Sequence, residues 1–226
     1  MQDDLITLES MKEAGWYNQH LLKLISKYLQ GDILEIGFGV GNFSDLLSNY
    51  GRVWAIDANH RYLTKVKGIN KDITFGLGNI ETGKYFFGKK RFDTLVMLNV
   101  LEHIKNDNQA LKNCNQLLKP GGNLILLVPA HQFLFGEIDK SIGHFRRYEY
   151  YKLHKLLKIN NFTVLNINKI NLLGAVGWFI AGKIMKRKHV SSSNVRIFNI
   201  VAPLLLKMEK IIKPPVGISL LAVAQK

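Results

Sequence analysis

Apolar and polar positions switch period repeatedly along this chain. Residues 10–29 place Trp16, Tyr17, His20, Leu21, Leu24, Ile25 and Tyr28 at helical spacing, and a Gly31-Asp32 break follows. Ile33-Leu-Glu-Ile36 is then a short apolar run, and 52–57 is a second one. Ile73-Thr-Phe75, Arg91 to Leu98 and Asn123 to Val128 are further runs. The last is continuously apolar, as expected of a strand covered on both faces in a parallel sheet. Helical patterns occupy 42–49, 59–67 and 107–118, the last ended by Lys119-Pro-Gly-Gly122. Strands alternating with helices predict a doubly wound α/β sheet.

Beyond Pro129 the pattern changes. Residues 131–148 read as a loop rich in aromatic, histidine and arginine residues, 149–159 as a helix, and Phe162 to Ile170 as a strand. Two apolar, basic helical stretches follow near 172–187 and 195–212, linked by Ser191-Ser-Ser-Asn194. Pro214-Pro215 stops the second, and Ile218 to Ala224 is a closing strand.

The composition narrows this picture. A chain of 226 residues, 47% hydrophobic, fits one large domain or one domain with an insertion. The lone Cys114 excludes an internal disulfide and fits a reducing compartment. No signal peptide is expected behind the acidic start Met1-Gln-Asp-Asp. The longest uncharged, mostly apolar stretch, Ile170 to Gly182, is 13 residues, short of the roughly 18 a spanning helix needs. Of the net +14, a net +13 falls between Lys140 and Lys213, where 15 basic residues meet 2 acidic ones. That excess is either a solvated lysine-rich surface or a face for an anionic partner.

The chemistry concentrates at Ile33-Leu-Glu-Ile-Gly-Phe-Gly-Val-Gly-Asn-Phe43 and Val53-Trp-Ala-Ile-Asp57. A strand, a glycine-rich turn, a helix start and a second strand ending in a carboxylate can hold a nucleotide-like cofactor. Gly37, Gly39 and Gly41 let the backbone turn tightly against a ligand. Asp57, 20 residues after Gly37, can accept hydrogen bonds from two ribose hydroxyls. The spacing is G-x-G-x-G. Asn42 stands where the dinucleotide fingerprint G-x-G-x-x-G carries its third glycine, which disfavours a nicotinamide oxidoreductase.

With Glu35 two residues before the first glycine, the loop resembles motif I of the class I S-adenosylmethionine (SAM) methyltransferases. Gly78-Asn79-Ile80 resembles their Gly-Asp-Φ segment after strand three, with Asn79 replacing an aspartate that commonly contacts adenine. Phe92-Asp93-Thr-Leu-Val-Met-Leu-Asn99-Val-Leu-Glu102-His103-Ile104 resembles motif IV of small-molecule members, of ubiquinone and menaquinone methyltransferase type. Glu102-His103 reads otherwise as an exposed helix start. The resemblance implies a Rossmann-like, seven-stranded sheet with an antiparallel last strand and a helical insertion between strands six and seven. Its divisions are an N-terminal helical cap at 1–30, a SAM-binding domain at 31–170, a basic apolar insertion or lid at 171–213, and the closing strand at 214–226. It implies SAM as cofactor, S-adenosylhomocysteine as product, and cofactor contacts at Glu35, Gly37, Gly39, Gly41, Asp57, Asn79, Ile80 and Asn99. Trp16 or Tyr17 would close over the methionine end, unless both belong to the core.

His131, Phe135-Gly-Glu-Ile-Asp139 and Gly143-His-Phe-Arg-Arg-Tyr148 resemble a loop of one subgroup of these enzymes. His144 or His131 is then a general base, Arg146 and Arg147 grip a carboxylate or phosphate, and Tyr148 and Asn171 line the acceptor site. The same His144, Arg146 and Arg147 can instead clamp the loop through Asp139 and Glu149. No metal site is expected from the histidine spacing. The expected activity is methyl transfer to an O, N or C atom of a small molecule that is anionic, sugar-derived or lipid-linked. The chain is expected in the cytoplasm, with peripheral contact to an anionic membrane at its inner face. Two other classes stay open. One is a non-catalytic SAM-binding scaffold. The other is an RNA methyltransferase, against which stands the lack of an RNA-binding module and of an Asn/Asp-Pro-Pro-Tyr/Phe-type motif after strand four, so no nucleic-acid partner is expected.

Overall fold

The computed structural model describes residues 15–66, 72–185, 209 and 214–226. In chain order the elements are α1 (Gly15–Ile25), β1 (Asp32–Ile36), α2 (Ser44–Leu47), β2 (Arg52–Asp57), α3 (Arg61–Lys65), β3 (Thr74–Asn79), β4 (Lys84–Tyr85) and β5 (Phe92–Leu98). They continue as α4 (Asp107–Leu117), β6 (Leu118–Pro129), α5 (Glu137–Ser141), α6 (Tyr150–Ile159), β7 (Thr163–Ile170), α7 (Leu172–Trp178) and β8 (Ser219–Gln225). The strands form one sheet of order β4-β3-β2-β1-β5-β6-β8-β7. Pairings from β3 through β6 are parallel, and β8 runs antiparallel between β6 and β7.

Side chains that alternate along each strand build two cores, one on each face. Leu34, Ile36, Leu95, Met97, Leu124, Leu126 and Val128 face α4 and α6. Ile33, Val53, Ala55, Val96, Ile125 and Leu127 face α1 and α2. Both sets are required because a parallel sheet must be covered on both sides. The Asn106 side chain caps α4 by accepting from the Gln109 N–H at 3.0 Å. That helix stops just before Lys119-Pro120, where proline disfavours the helical conformation of the residue preceding it.

The winding reverses between β1 and β5, which places a ligand crevice at the carboxyl ends of these strands. Three expectations are adjusted. The sheet has eight strands, because the two-residue β4 adds antiparallel to the β3 edge, Gly78 opposite Tyr85 and Asn79 opposite Lys84; two residues are too few for a period-2 signal. Strand β3 extends to Asn79, and its glycines 76 and 78 hide it from an apolar-run reading. Residues 131–148 contain a short turn of helix at Gln132–Leu134 and α5. The helical stretch from 172 continues past α7 as a wider turn over Phe179–Ile184. The stretch at 195–212 lies outside the described residues apart from Glu209, as do 10–14 of the first helix.

Candidate functional site

Three glycines shape the loop after β1. Gly37, Gly39 and Gly41 have φ of +80°, +54° and +79°, a region that costs an L side chain energy. At Gly37 there is also no room, since a Cβ would lie 2.3 Å from Val100 Cγ2. The Gly37 N–H donates to the Ile56 carbonyl at 2.7 Å, which binds the loop to the end of β2. From that end Asp57 reaches back. Its Oδ2 accepts from the Gly39 N–H at 3.0 Å, and its Oδ1 from the Asn59 N–H at 2.8 Å. The Ala58 N–H also interacts with this carboxylate; of its roughly four lone-pair sites not all are used, and the side chain is only half-buried, so it can accept from a ribose hydroxyl. Burial pushes the Asp57 carboxyl upward, against the pull of these N–H groups. The residues present therefore fit the nucleoside end of SAM.

Glu35 supports the loop from beneath. It is buried, and its Oε2 accepts a short hydrogen bond from the Ser44 hydroxyl at the start of α2. Burial pushes its carboxyl up to about 7, opposed by the Ser44 bond and reinforced by Asp57. A hollow of about 460 Å³ opens beside Asp57, lined by Ala58, Leu77, Asn79, Thr82, Tyr85 and Phe86. Its mixed apolar walls suit a flat purine. Asn79 lines it, but not as an acceptor: its Oδ1 already takes the Glu81 and Thr82 N–H groups at 2.9 and 3.1 Å. The group left to a ligand is its Nδ2 donor. The Ile80 side chain lies in the core, and its carbonyl accepts from Asn113 at 2.7 Å. Asn99 stands exposed on the rim after β5, with φ +53° and its N–H bonded to the Leu127 carbonyl.

Tyr17 and Asn171 are structural partners of one another. Tyr17 sits in the core between α1 and the sheet, and burial pushes its hydroxyl up to about 12 while a hydrogen bond with Asn171 opposes the shift. The Asn171 Oδ1 caps α7 by accepting from the Gly174 N–H at 2.7 Å, and the Glu209 carboxylate accepts from the Asn171 and Leu172 N–H groups at 2.8 and 2.7 Å. Neither side chain is open to an acceptor: an amphipathic helix turned Tyr17 inward, and a left-handed backbone (φ +64°) spent Asn171 on a cap. Trp16 stacks on His20 with ring centroids 5.2 Å apart at the edge of the same core.

The 131–148 loop closes on Asp139. This fully buried carboxylate accepts from Arg147 Nε at 2.8 Å, His144 Nδ1 at 2.8 Å, the Gly136 N–H at 3.0 Å and Trp178 Nε1 at 3.2 Å. Burial alone would raise it; the His144 and Arg147 bonds outweigh burial and hold it below the usual carboxylate range. Arg147 also donates to the Ala130 carbonyl and lies over the Trp178 ring. It is 4% exposed, so its guanidinium is committed to the loop rather than presented to a substrate anion. Tyr148 is likewise buried, its hydroxyl against the Leu101 carbonyl and Asp107. Arg146 pairs with Asp107 at 2.8 Å and donates to the Lys105 carbonyl. The clamp is therefore made by His144 and Arg147 on Asp139, while Glu149 holds the Gln132 N–H and His131 Nδ1.

Two imidazoles remain as candidates for a base. His144 Nδ1 is held by Asp139, and its Nε2 lies 3.7 Å from Glu102. Glu102 is not an exposed helix start: it is fully buried, and neither carboxylate oxygen has a hydrogen-bond partner among the described residues. Burial pushes it up to about 8. With His103, these residues form a group whose ligand atoms lie within 4.8 Å of one another and could share a cation. Sequence spacing hides the group, because His144 arrives from a loop far along the chain. His131 sits at φ +63° two residues after the end of β6, its Nδ1 3.3 Å from Glu149 and its buried Nε2 without a partner among the described residues. A carboxylate at Nδ1 favours the proton there and leaves the lone pair on Nε2. Val100 and Ser44 were not singled out in the sequence; each acts by packing or by a contact between separated segments.

The mixed sheet with its antiparallel β8 has the Rossmann-like fold of solved methyltransferase structures. Residues 34–126 match the family described as "Methyltransferase domain". The ubiquinone biosynthesis O-methyltransferase of Coxiella burnetii is 30% identical over 122 residues, covering 50% of this chain and 51% of that protein. The demethylmenaquinone methyltransferase of Tropheryma whipplei is 27% identical over 158 residues, covering 68% and 62% respectively. The chain thus spans roughly half to three-fifths of the length of these curated relatives. A SAM-dependent methyltransferase of known structure from Archaeoglobus fulgidus shares the fold with a TM-score of 0.65 at 16% identity, over 97% of this chain and 98% of that one. Among the described residues no helix is long and apolar enough to cross a membrane.

Proposed function

We propose that this protein transfers a methyl group from SAM to an oxygen or carbon of a small, apolar ring compound, of the quinone-precursor kind named in its relatives. The observation that carries the reading is the loop joined to β2: three left-handed glycines and the Gly39–Asp57 hydrogen bond set a half-buried carboxylate beside a hollow of about 460 Å³. SAM supplies a methyl group already activated on a sulfonium. The protein's work is then to orient the acceptor, exclude water and take up a proton.

His131 is the better-supported base. The Glu149 contact at Nδ1 fixes its tautomer, and its Nε2 is free of other partners among the described residues. His144 is the second candidate, its Nε2 turned toward Glu102. Arg146 is the one loop arginine with partial exposure and remains the proposed contact for an anionic group on the acceptor. The N-terminal segment 1–30 and the insertion 171–213 are proposed to complete the walls of the acceptor site.

The test is transfer of labelled methyl from SAM to a panel of hydroxylated and prenylated benzenes and naphthoquinols. The expected result is turnover that His131→Ala lowers by about 100-fold or more in kcat, a typical loss for a general base, with unchanged SAM affinity. Full turnover in His131→Ala together with a comparable loss in His144→Ala would move the role to His144. Tight SAM binding with no transfer to any acceptor would favour a scaffold.

A further inference from the structure

Residues 172–185 turn their bulk the wrong way for a helix of a soluble protein. Toward the protein lie Ala175, Gly182 and the partly covered Trp178. Toward solvent lie Leu172, Val176, Ile180 and Ile184, four residues apart in succession, joined by Phe179 and Met185. Val176 is 50% and Ile184 64% exposed. The small inner face allows close packing on the 131–148 loop: a Cβ on Gly136 would stand 3.2 Å from the Gly182 carbonyl oxygen. Phe133, 55% exposed on the neighbouring Gln132–Leu134 turn, extends the same surface. A contiguous apolar stripe of this kind marks an interaction site.

Charge selects the partner. Lys183 is exposed within the stripe, and Lys186, Arg187 and Lys188 follow it directly in sequence. Between Glu149 and Glu209 the sequence holds no acidic residue at all. Nucleic acid would match the cations but not the apolar stripe, and a second copy of this chain would bring the same positive charge against it. An apolar face that carries Lys183, in a stretch of sequence free of acidic residues, matches the interface of an anionic bilayer, where apolar side chains enter the acyl boundary and cations meet the head groups.

We infer that residues 172–185, with Phe133, dock this protein on an anionic lipid surface, through the outward stripe Leu172, Val176, Phe179, Ile180 and Ile184 with the exposed Lys183 among them. The docking helix is fastened to the candidate acceptor site, since the Trp178 indole N–H donates to Asp139, the residue that holds His144 and Arg147. A membrane-dissolved acceptor would then reach the 131–148 loop from the bilayer side. That last step rests on the acceptor reading above; the docking itself does not.

The experiment is co-sedimentation of the full chain with phosphatidylcholine vesicles, with and without phosphatidylglycerol, at low and high salt. Binding should be stronger with phosphatidylglycerol at low salt, by roughly 5-fold for each cation that meets the head groups, and should weaken with salt. The double variant Ile180→Asp, Ile184→Asp should lose that binding while calorimetry shows unchanged SAM affinity, which also verifies its folding. An environment-sensitive dye on Ile184→Cys should shift to the blue on anionic vesicles alone. No binding at low salt, or binding unaltered in the double variant, would overturn the inference. So would a concentration-dependent dimer that the double variant abolishes, since the face would then belong to a second copy. Because vesicle binding needs no acceptor, failure of methyl transfer would leave this result standing.

Discussion

At the scale of single residues, Asp57 serves two purposes. It ties the glycine loop to β2 through the Gly39 N–H and keeps lone pairs for a ligand. Asp57→Ala should therefore weaken SAM binding roughly 10- to 100-fold, the value of hydrogen bonds to a charged group, measured by calorimetry. Gly37→Ala should destabilise the protein by more than about 1 kcal/mol, combining a left-handed φ with a clash against Val100. The two loop arginines should separate in denaturant melts. Arg147→Ala breaks a buried pair with Asp139 and should cost about 3–5 kcal/mol, whereas Arg146→Ala loosens a partly exposed pair and should cost about 1 kcal/mol or less. The glycines, Asp57 and the rim position of Asn99 were readable from the chain because backbone geometry dictates those residue types. The burial of Arg147, the cap at Asn171 and the used-up Asn79 oxygen were not, because each depends on which distant group arrives beside it.

At the scale of elements, the sheet was legible and the loops were less so. The apolar runs at 33–36, 52–57, 91–98 and 123–128 became strands β1, β2, β5 and β6, since only a doubly covered sheet can use such continuous apolar sequence. The edge strand β4 escaped because two residues carry no period. The 131–148 loop shows how a polar segment acquires structure without hydrophobic pattern: Asp139 accepts hydrogen bonds from Gly136, His144 and Arg147 of the loop itself and from Trp178 of α7. Glu102 lies under that loop as a buried acid raised to about 8 from an ordinary value of 4.5. The folded state holds this proton longer than the unfolded chain. Stability from this group is thus complete below about pH 4.5 and is lost as pH rises through 8. Glu102→Gln, which mimics the protonated acid, should flatten the fall in melting temperature over that window. An equally steep fall in the variant would show that Glu102 is ionised throughout.

At the scale of the whole molecule, charge and chemistry are divided. The sequence outside residues 140–213 carries nearly balanced charge, and the net +13 falls within 140–213. The glycine loop after β1 is proposed to hold the cofactor, and the stripe at 172–185 to meet an anionic lipid surface. Glu35, raised to about 7 beneath the glycine loop, adds to the same downward slope of stability with pH in the empty protein. The measurement that tests SAM binding at this loop most directly is calorimetric titration with SAM, S-adenosylhomocysteine and NAD, repeated on Asp57→Ala. The expected result is binding of the first two, weakened by the substitution, and none of NAD. Binding of NAD alone, or SAM binding indifferent to Asp57→Ala, would contradict it.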